Sequence, residues 1–570
     1  MRRTLVFDRE RCLACRSCEL ACAVIHSRAQ RLDQAIGEDP RPRRRVSIVR
    51  TEGGVEALRC EQCGEPLCLF SCKSGALHWI PGEDRIALDE ERCLGCLMCA
   101  MVCAYGIRPD LARARVARCD VCDDLETAAC VAACPTGALQ QGLADRARTR
   151  SSFDGRLVVV GSSAAGIAAC EAAREHAPAC DITVVTADAA PEYSRPLLAY
   201  ALAGRLDRAD LSWRFADYLE AQLGATVLRG VRTSALDTAQ RRLQLNDGRA
   251  IAFDRLVIAS GARATIPNIP GVRLAGVHTL RDLADLDALD RLAQPGRHAV
   301  VVGGGNVGLQ ACEALAARSM NVTVVVRSPH LLSQMVDEAV GRRVGDLFAR
   351  HGVDVRTGRD VDEILGGDRV ERLRLDDGEL LPADLVMVGK GIEPDVAWLD
   401  GSGVETRRGI VVDLCGRTSA SGVFAAGDCA EMPDLVSGRS VVSGIWPMAY
   451  EMGRAAASTA VGVERMTRGA LKMNASHFFG TSLISMGEVW PERLAGASAH
   501  ILADREDGYR KLIYRDGRLV GALLYGDVTG AGVYYRLYRE GVDLGDAALE
   551  DLTGRQLGLA IGVIRSTSSR

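Results

Sequence analysis

Sixteen of the chain's 21 cysteines crowd into residues 12–134, and their spacing is the strongest chemical signal in the sequence. Cys12, Cys15, Cys18 and Cys22 form a first group, and Cys60, Cys63, Cys68 and Cys72 a second. Cys93, Cys96, Cys99 and Cys103 form a third, and Cys119, Cys122, Cys130 and Cys134 a fourth, followed by Pro135. The first and third read C-x2-C-x2-C-x3-C; the other two widen the gap before the third cysteine, and all keep the final C-x3-C. A four-iron, four-sulfur (4Fe–4S) cluster needs four soft thiolates converging on one inorganic core. A short loop supplies three, its amides free to donate to sulfur, and a partner group commonly supplies the fourth. Four clusters would use all sixteen thiols. Structural zinc also takes four thiolates per ion, but fits these paired runs poorly. The block holds too little ordinary core to fold well without metal.

These groups need short loops and turns to hold them. Cys72–Leu77 (Cys-Lys-Ser-Gly-Ala-Leu) repeats as Cys134–Leu139 (Cys-Pro-Thr-Gly-Ala-Leu), and each copy is expected to turn at Gly75 or Gly137 before an apolar strand. Residues 23–59 form an insertion between the first two groups. Its run Arg41, Arg43, Arg44, Arg45 reads as a solvated loop or as a docking patch for an acidic partner or cofactor phosphate.

Beyond a polar, arginine-rich stretch at 141–155, read as a linker, a different chemistry begins. Leu157–Gly161 is a buried strand running into Gly161, Ser162, Ser163, Ala164, Ala165 and Gly166 and then a helix to about Glu175. Strand, glycine turn and helix amino terminus suit a dinucleotide pyrophosphate. Ser163 replaces the middle glycine. A strand at Ile182–Val185 follows, and Asp188 beyond it is a candidate ribose ligand or a solvated turn residue. The second copy is cleaner. A strand at His298–Val302, the turn Gly303-Gly304-Gly305-Asn306-Val307-Gly308, a helix and a strand at Asn321–Val326 should hold a nicotinamide nucleotide. Its acidic strand-end position carries Val326. Arg327 and His330 beyond it could face a 2′-phosphate, so NAD or NADP stays open, leaning to NAD.

Composition sets the outer limits. With 570 residues, the chain is long enough for several domains. A formal charge of −4 and 4% aromatic residues argue against nucleic acid. There is no secretory pattern and no run of eighteen apolar residues, so the expectation is a cytoplasmic protein with no transmembrane segment. Disulfides are disfavoured there.

The run Cys12–His26 resembles the four-cluster electron-transfer subunits of molybdenum and tungsten oxidoreductases, hydrogenases, formate dehydrogenases and carbon monoxide dehydrogenases. That resemblance implies cross-pairing: Cys12, Cys15 and Cys18 with Cys134; Cys119, Cys122 and Cys130 with Cys22; Cys60, Cys63 and Cys68 with Cys103; Cys93, Cys96 and Cys99 with Cys72. The second block resembles NADH oxidases, rubredoxin reductases and the flavin module of nitrite reductases. The resemblance rests on the order of its two glycine turns with Leu256–Gly261, Gly389–Pro394 and Val423–Ala430. It implies an FAD domain split by an inserted nicotinamide domain. Ser260, Gly261 and Gly389 would lie at the crossings, and Gly427 and Asp428 at the flavin's ribityl–phosphate region. Tyr193–Leu198 would put Arg195 beside the isoalloxazine, as a catalytic residue. Trp446, Pro447, Ala449 and Gly453 resemble the closing helix, where Met452 replaces a typical Gln.

The expected architecture is an α+β ferredoxin-like four-cluster domain (1–140) and the linker (141–155), then a tandem Rossmann-like α/β flavoprotein. The flavoprotein comprises a leading FAD-binding segment (156–290), the nicotinamide domain (291–398) and a returning FAD-binding segment (399–470). A small β-rich domain (471–570) closes the chain, and by resemblance it serves a subunit interface, hence a homo-oligomer. Tyr509–Tyr514 and the turn at Asp516-Gly517 suggest a meander there.

Flavin exchanges hydride with nicotinamide and single electrons with clusters, so it makes the combination coherent. The implied function passes electrons between NAD(P) and a partner metalloenzyme of anaerobic metabolism. That partner would be of carbon monoxide dehydrogenase, aldehyde oxidoreductase, formate dehydrogenase or hydrogenase type. The alternatives are a stand-alone NAD(P)H oxidoreductase reducing ferredoxin, rubredoxin or oxygen, and a non-enzymatic relay or scaffold. Disulfide reduction is not expected: no Cys-x-x-Cys follows residue 134, and Cys170, Cys180, Cys312, Cys415 and Cys429 read as packing.

Overall fold

The computed structural model describes residues 2–51, 54–80, 83, 85–144, 149–214 and 217–544. Residues 145–148 of the expected linker and 545–570 of the expected terminal domain lie outside the described residues. The chain falls into two compact units. One joins residues 1–147 to 473–476 and 482–570; the other holds residues 148–472 and 477–481.

In the first unit, all four cysteine groups share one local design. The third cysteine of each is the second residue of a helix: Cys18 in Ser17–Ile25, Cys68 in Leu67–Phe70, Cys99 in Met98–Met101 and Cys130 in Ala129–Ala132. The second residue after each first cysteine is left-handed, with φ of 54° at Ala14, 48° at Gln62, 62° at Gly95 and 64° at Val121. Only one of those four is glycine, and a β-branched residue in that region is costly. The turn points successive amides toward one spot, an arrangement suited to an anion.

Short antiparallel pairs frame the loops. Arg2–Phe7 pairs with Leu139–Ala144, so residues 141–144 of the stretch read as a linker belong to this sheet. Gly75 and Gly137 turn with φ of 70° and 63° ahead of strands Leu77–Trp79 and Leu139–Ala144. The insertion forms the hairpin Ser47–Thr51 and Gly54–Leu58. The carboxyl-terminal segment adds a five-stranded antiparallel sheet that includes Thr481–Gly487, Ala497–Arg505, Gly508–Arg515 and Arg518–Tyr525, then the helix Ala531–Glu540. The expected turn at Asp516-Gly517 is present, both residues left-handed. The expected one-sided alternation in Tyr509–Tyr514 is not: every residue there is buried, because both faces are covered. The terminal helix is one cover, packed on Arg518–Tyr525 of the same sheet. Gly532, early in the terminal helix, packs so closely on the Cys103 carbonyl that a Cβ would collide with it.

The second unit contains the dinucleotide pattern twice. Five parallel strands, in the order Thr226–Leu228, Asp181–Val185, Arg156–Val160, Arg255–Ile258, Val423–Ala425, form the first sheet. Val277–His278, Leu385–Val388, His298–Val302, Asn321–Val326 and Asp354–Thr357 form the second. Beyond their polar first residues and Thr183 and Thr323, their inner strands are apolar and buried, as strands covered on both faces must be. The two sheets are connected by the antiparallel pair Ala262–Ala264 and Ile392–Pro394. Because Val423–Ala425 completes the first sheet after the second has been built, the first domain is split around the other.

Candidate functional site

The two glycine turns are near copies, and collisions explain their glycines. A Cβ on Gly161 would strike the Ala259 carbonyl, and one on Gly303 the Gly389 carbonyl. Gly166 lies against the Gly161 carbonyl, and Gly308 against that of Gly303, so each helix approaches its strand too closely for a side chain. The middle position differs. Gly305 has φ −80° with open space around it, and its counterpart Ser163 has φ −95°. Nothing in the backbone requires glycine there; what a pyrophosphate needs is room, which a serine largely preserves. Ala164–His176 and Asn306–Ala317 start at these turns, aiming free amides and the positive helix end at that room. The fit to two dinucleotides is good, with Ser163 in the place of the middle glycine.

Beyond the first turn, Asp188 and Arg195 are drawn together. Arg195 donates to an Asp188 carboxylate oxygen at 2.6 Å, to the Tyr193 hydroxyl at 2.9 Å and to the Arg281 carbonyl at 2.8 Å. Arg281 in turn reaches Asp428 at 3.1 Å and the Ala262 carbonyl at 3.1 Å, beside Gly261. Arg281 thus ties Arg195 to Gly261 and Asp428. It was not anticipated, because a lone arginine in Leu280-Arg281-Asp282 has no spacing that marks it. Ser260 donates to the Asp395 carbonyl at 2.9 Å. Trp446 opens the helix Trp446–Ala460, packs edge-on against Trp213 at 5.1 Å, and its buried indole N–H has no partner among the described residues. That helix packs on Ala164–His176: a Cβ on Gly453 would hit the Ala165 carbonyl, and Gly427 lies close to Ala165.

At the second turn, Val326 is buried and Arg327 exposed. His330 faces inward, with Nδ1 2.9 Å from the Leu331 carbonyl and against Gly341. Asn306 and Val307 open the helix, and Val307 is half-exposed.

The cysteines gather across groups. Cys12, Cys15, Cys18 and Cys134 wall one small cavity. Cys68 feels the charges of Cys103, Cys60 and Cys63; Cys99 those of Cys72, Cys96 and Cys93; Cys130 those of Cys119, Cys22 and Cys122. Burial first, and these neighbours second, push Cys68 and Cys99 well above the ordinary thiol range. Metal uptake displaces the thiol protons. A backbone amide donates to the fourth cysteine of every group: Arg45 to Cys22 at 3.1 Å, Leu77 to Cys72 at 3.2 Å, Gly106 to Cys103 at 3.3 Å and Leu139 to Cys134 at 3.5 Å. Such bonds stabilise thiolate sulfur. Arg45, in the insertion's basic run, thereby belongs to the cysteine framework, with its guanidinium on Asp120.

His26, Asp120 and Cys122 could together hold a metal ion. The His26 ring is already used, Nδ1 lying 2.7 Å from the Cys22 carbonyl and Nε2 3.2 Å from Asp120. It reads as structure. Elsewhere Cys429 is a buried thiol that donates to the Ala426 and Ile258 carbonyls at 3.3 and 3.4 Å, and the four other late cysteines are buried. Among the described residues, no helix is long and apolar enough to cross a membrane.

Two dinucleotide cradles in one split unit, joined in sequence to a cysteine-rich lobe, define an FAD- and NAD(P)-dependent oxidoreductase with an iron–sulfur domain. The chain belongs to the pyridine nucleotide-disulphide oxidoreductase family, whose model matches residues 155–453. A rubredoxin NAD+ reductase C-terminal domain matches residues 473–541, and a 4Fe-4S dicluster domain residues 54–144, beginning after the first cysteine group. The chain is 32% identical over 394 residues to the NADH-dependent phenylglyoxylate dehydrogenase subunit epsilon of Aromatoleum evansii, covering 68% of this chain and 92% of that protein. It is 28% identical over 401 residues to the nitrite reductase [NAD(P)H] of Bacillus subtilis, covering 69% of this chain and spanning 48% of that protein. A ferredoxin reductase from Rhodopseudomonas palustris shares the fold with a TM-score of 0.61 and 26% identity, covering 66% of this chain and 91% of that one.

Proposed function

We propose that this protein oxidises NAD(P)H at a bound FAD and passes single electrons through four 4Fe–4S clusters to a separate redox protein. The observation that carries this is the repeated cysteine design: four loops, four left-handed turns, four helices and four sulfur-directed amides, gathered in cross-group quartets. FAD, when bound, supplies the exchange between a hydride and two single electrons. The chain's own residues supply placement and charge. The Gly161–Gly166 turn would hold the FAD pyrophosphate, and Asp428 with Arg281 the region beside it. Arg195 is fixed by three hydrogen bonds, one of them to the Asp188 carboxylate, which leaves a rigid guanidinium whose N–H groups would favour the reduced flavin. The Gly303–Gly308 turn would hold the nicotinamide nucleotide. Val326 and Arg327 withhold the carboxylate that selects a free 2′-hydroxyl, so both nucleotides are candidate substrates.

The favoured partner is a small one-electron carrier, because several relatives are named as ferredoxin reductase components, among them that of the biphenyl dioxygenase system of Paraburkholderia xenovorans. A second reading makes the chain an electron-transfer subunit of a larger oxidoreductase. The near-complete coverage of the phenylglyoxylate dehydrogenase subunit favours it. Partners of carbon monoxide dehydrogenase, aldehyde oxidoreductase, formate dehydrogenase or hydrogenase type are specific forms of that second reading, resting on the resemblance of the cysteine block alone.

The test is anaerobic purification with iron, sulfide and FAD counted per chain, followed by addition of NADH or NADPH. The expected result is about sixteen irons and one FAD, with flavin bleaching before the clusters are reduced. About four zinc ions in place of iron, or clusters that stay oxidised under both nucleotides, would overturn the proposal.

A further inference from the structure

We propose that an arginine-rimmed cleft in the iron–sulfur unit is the docking site of an acidic one-electron carrier protein. This inference rests on the function proposed above and specifies where electrons leave. The cleft measures about 1040 Å³. One wall is the helix Ser17–Ile25 with the loop 39–44, the floor is residues 97–112, and the opposite wall is residues 528–533. Cys103 reaches the floor. It gathers with Cys60, Cys63 and Cys68, so a protein seated here would lie over that quartet.

Charge and shape favour one kind of occupant. Arg16, Arg41, Arg43, Arg44 and Arg108 line the cleft against only Glu19 and Asp39, although the whole chain carries −4. Arg44 is paired with Glu19 at 3.3 Å and Arg43 with Asp110 at 3.5 Å. Arg16 and Arg41 are exposed and make no ion pair among the described residues. Arg108 keeps two buried guanidinium nitrogens with no hydrogen-bond partner among the described residues. A local positive field on an acidic protein attracts an acidic partner and orients it before contact. The lining also leaves Leu20 and Leu111 about half exposed, at 51% and 50%. Arginines around apolar side chains are the composition of a protein–protein contact, and the volume is at the upper limit for small-molecule sites.

The electron count is simple. One NAD(P)H gives up two electrons and becomes NAD(P)+, two carrier molecules each gain one electron, and one proton is released.

The test uses the holoprotein and two carriers: an acidic two-cluster bacterial ferredoxin and basic cytochrome c. Arg41→Glu with Arg43→Glu should lower kcat/KM for the ferredoxin roughly tenfold or more at low ionic strength, and the gap should close as salt rises. Cytochrome c reduction should not fall. Flavin bleaching by NADH, iron content and the Arg407→Glu control should match wild type. Leu111→Glu, placed on the floor, should show the same selective loss, and decides the matter if the double variant loses iron. Equal ferredoxin rates in wild type and variants, or parallel loss with both carriers, would overturn the docking site while leaving the function standing. Wild-type protein that reduces neither carrier removes both. Ferredoxin reduction that an added small organic anion blocks, but that Leu111→Glu leaves unchanged, would reassign the cleft to a small ligand.

Discussion

The two units solve the problem of a stable interior differently. Around the second dinucleotide sheet the core is aliphatic, with Val300, Val302, Val325, Leu373, Leu375 and Val386 at its centre. In the iron–sulfur lobe, the core around Leu5, Val46, Ile48 and Leu139 includes Cys18, Cys22, Cys119 and Cys130, with Cys12, Cys60, Cys122 and Cys134 packed against it. The first core is complete when its side chains meet. The second surrounds thiols placed to bind something, so its stability is tied to what they bind. Where the nucleotide unit has long helices behind its glycine turns, three of the four cysteine helices of the lobe have only four residues, too short to stand alone.

Stripping the metal is the harshest way to break this contrast. Chelation under anaerobic conditions should open residues 2–144 to protease while the nucleotide unit keeps its FAD. By analogy with structural zinc, the lost stabilisation is on the order of 10 kcal/mol. A protected lobe in the metal-free protein would show that its side chains suffice. Next comes Gly166→Val. Its Cβ cannot fit against the Gly161 carbonyl, so FAD content should fall nearly to zero with iron unchanged; retained FAD would show that the turn can relax. Cys130→Ala should remove about four of sixteen irons, a partial loss that iron analysis and electron paramagnetic resonance can resolve. Arg195→Ala should slow flavin reduction by NADH roughly tenfold, the effect of losing one charge-assisted contact, without changing iron. If iron falls in proportion to rate, the assignment of Arg195 is wrong.

The smallest effect concerns pH. Asp254 accepts from Arg156, whose guanidinium and backbone amide hold the carboxyl down to about 2. A depressed carboxylate adds stability above its unfolded value, and that contribution fades as pH falls through the folded value. Asp254→Asn should therefore lower Tm slightly at neutral pH, because the pair is largely exposed, and the difference should shrink between about pH 4 and pH 2. A difference that grows on acidification would contradict the pairing.

Much of the nucleotide unit was legible in the sequence because its constraints are local. His298–Val302 and Asn321–Val326 are observed with the expected bounds, since a buried apolar run ahead of a glycine turn has few alternatives. What stayed hidden was side-chain contact over distance. Asp188 meets Arg195, and Arg281 meets Asp428, 147 residues away, and no periodicity encodes such pairs. In the lobe, cysteine spacing revealed the loops but not their strain. Ala14, Gln62 and Val121 are left-handed without being glycine, so composition gave no sign of the turn. The three-stranded meanders Thr233–Ala252 and Val361–Pro382, one in each dinucleotide domain, were missed because their strands are short.

The contact of Gly532 with Cys103 bears on the order in which the molecule is assembled. A ribosome releases the cysteine loops hundreds of residues before the helix that lies on Cys103 exists. Until then the contact of Gly532 on Cys103 is missing, and iron and sulfide would have their freest entry to that quartet while the nucleotide unit is being made. The helix Ala531–Glu540 closes against Cys103 only after that interval, so a truncation ahead of residue 531 should make the Cys103 quartet easier to load and also easier to lose.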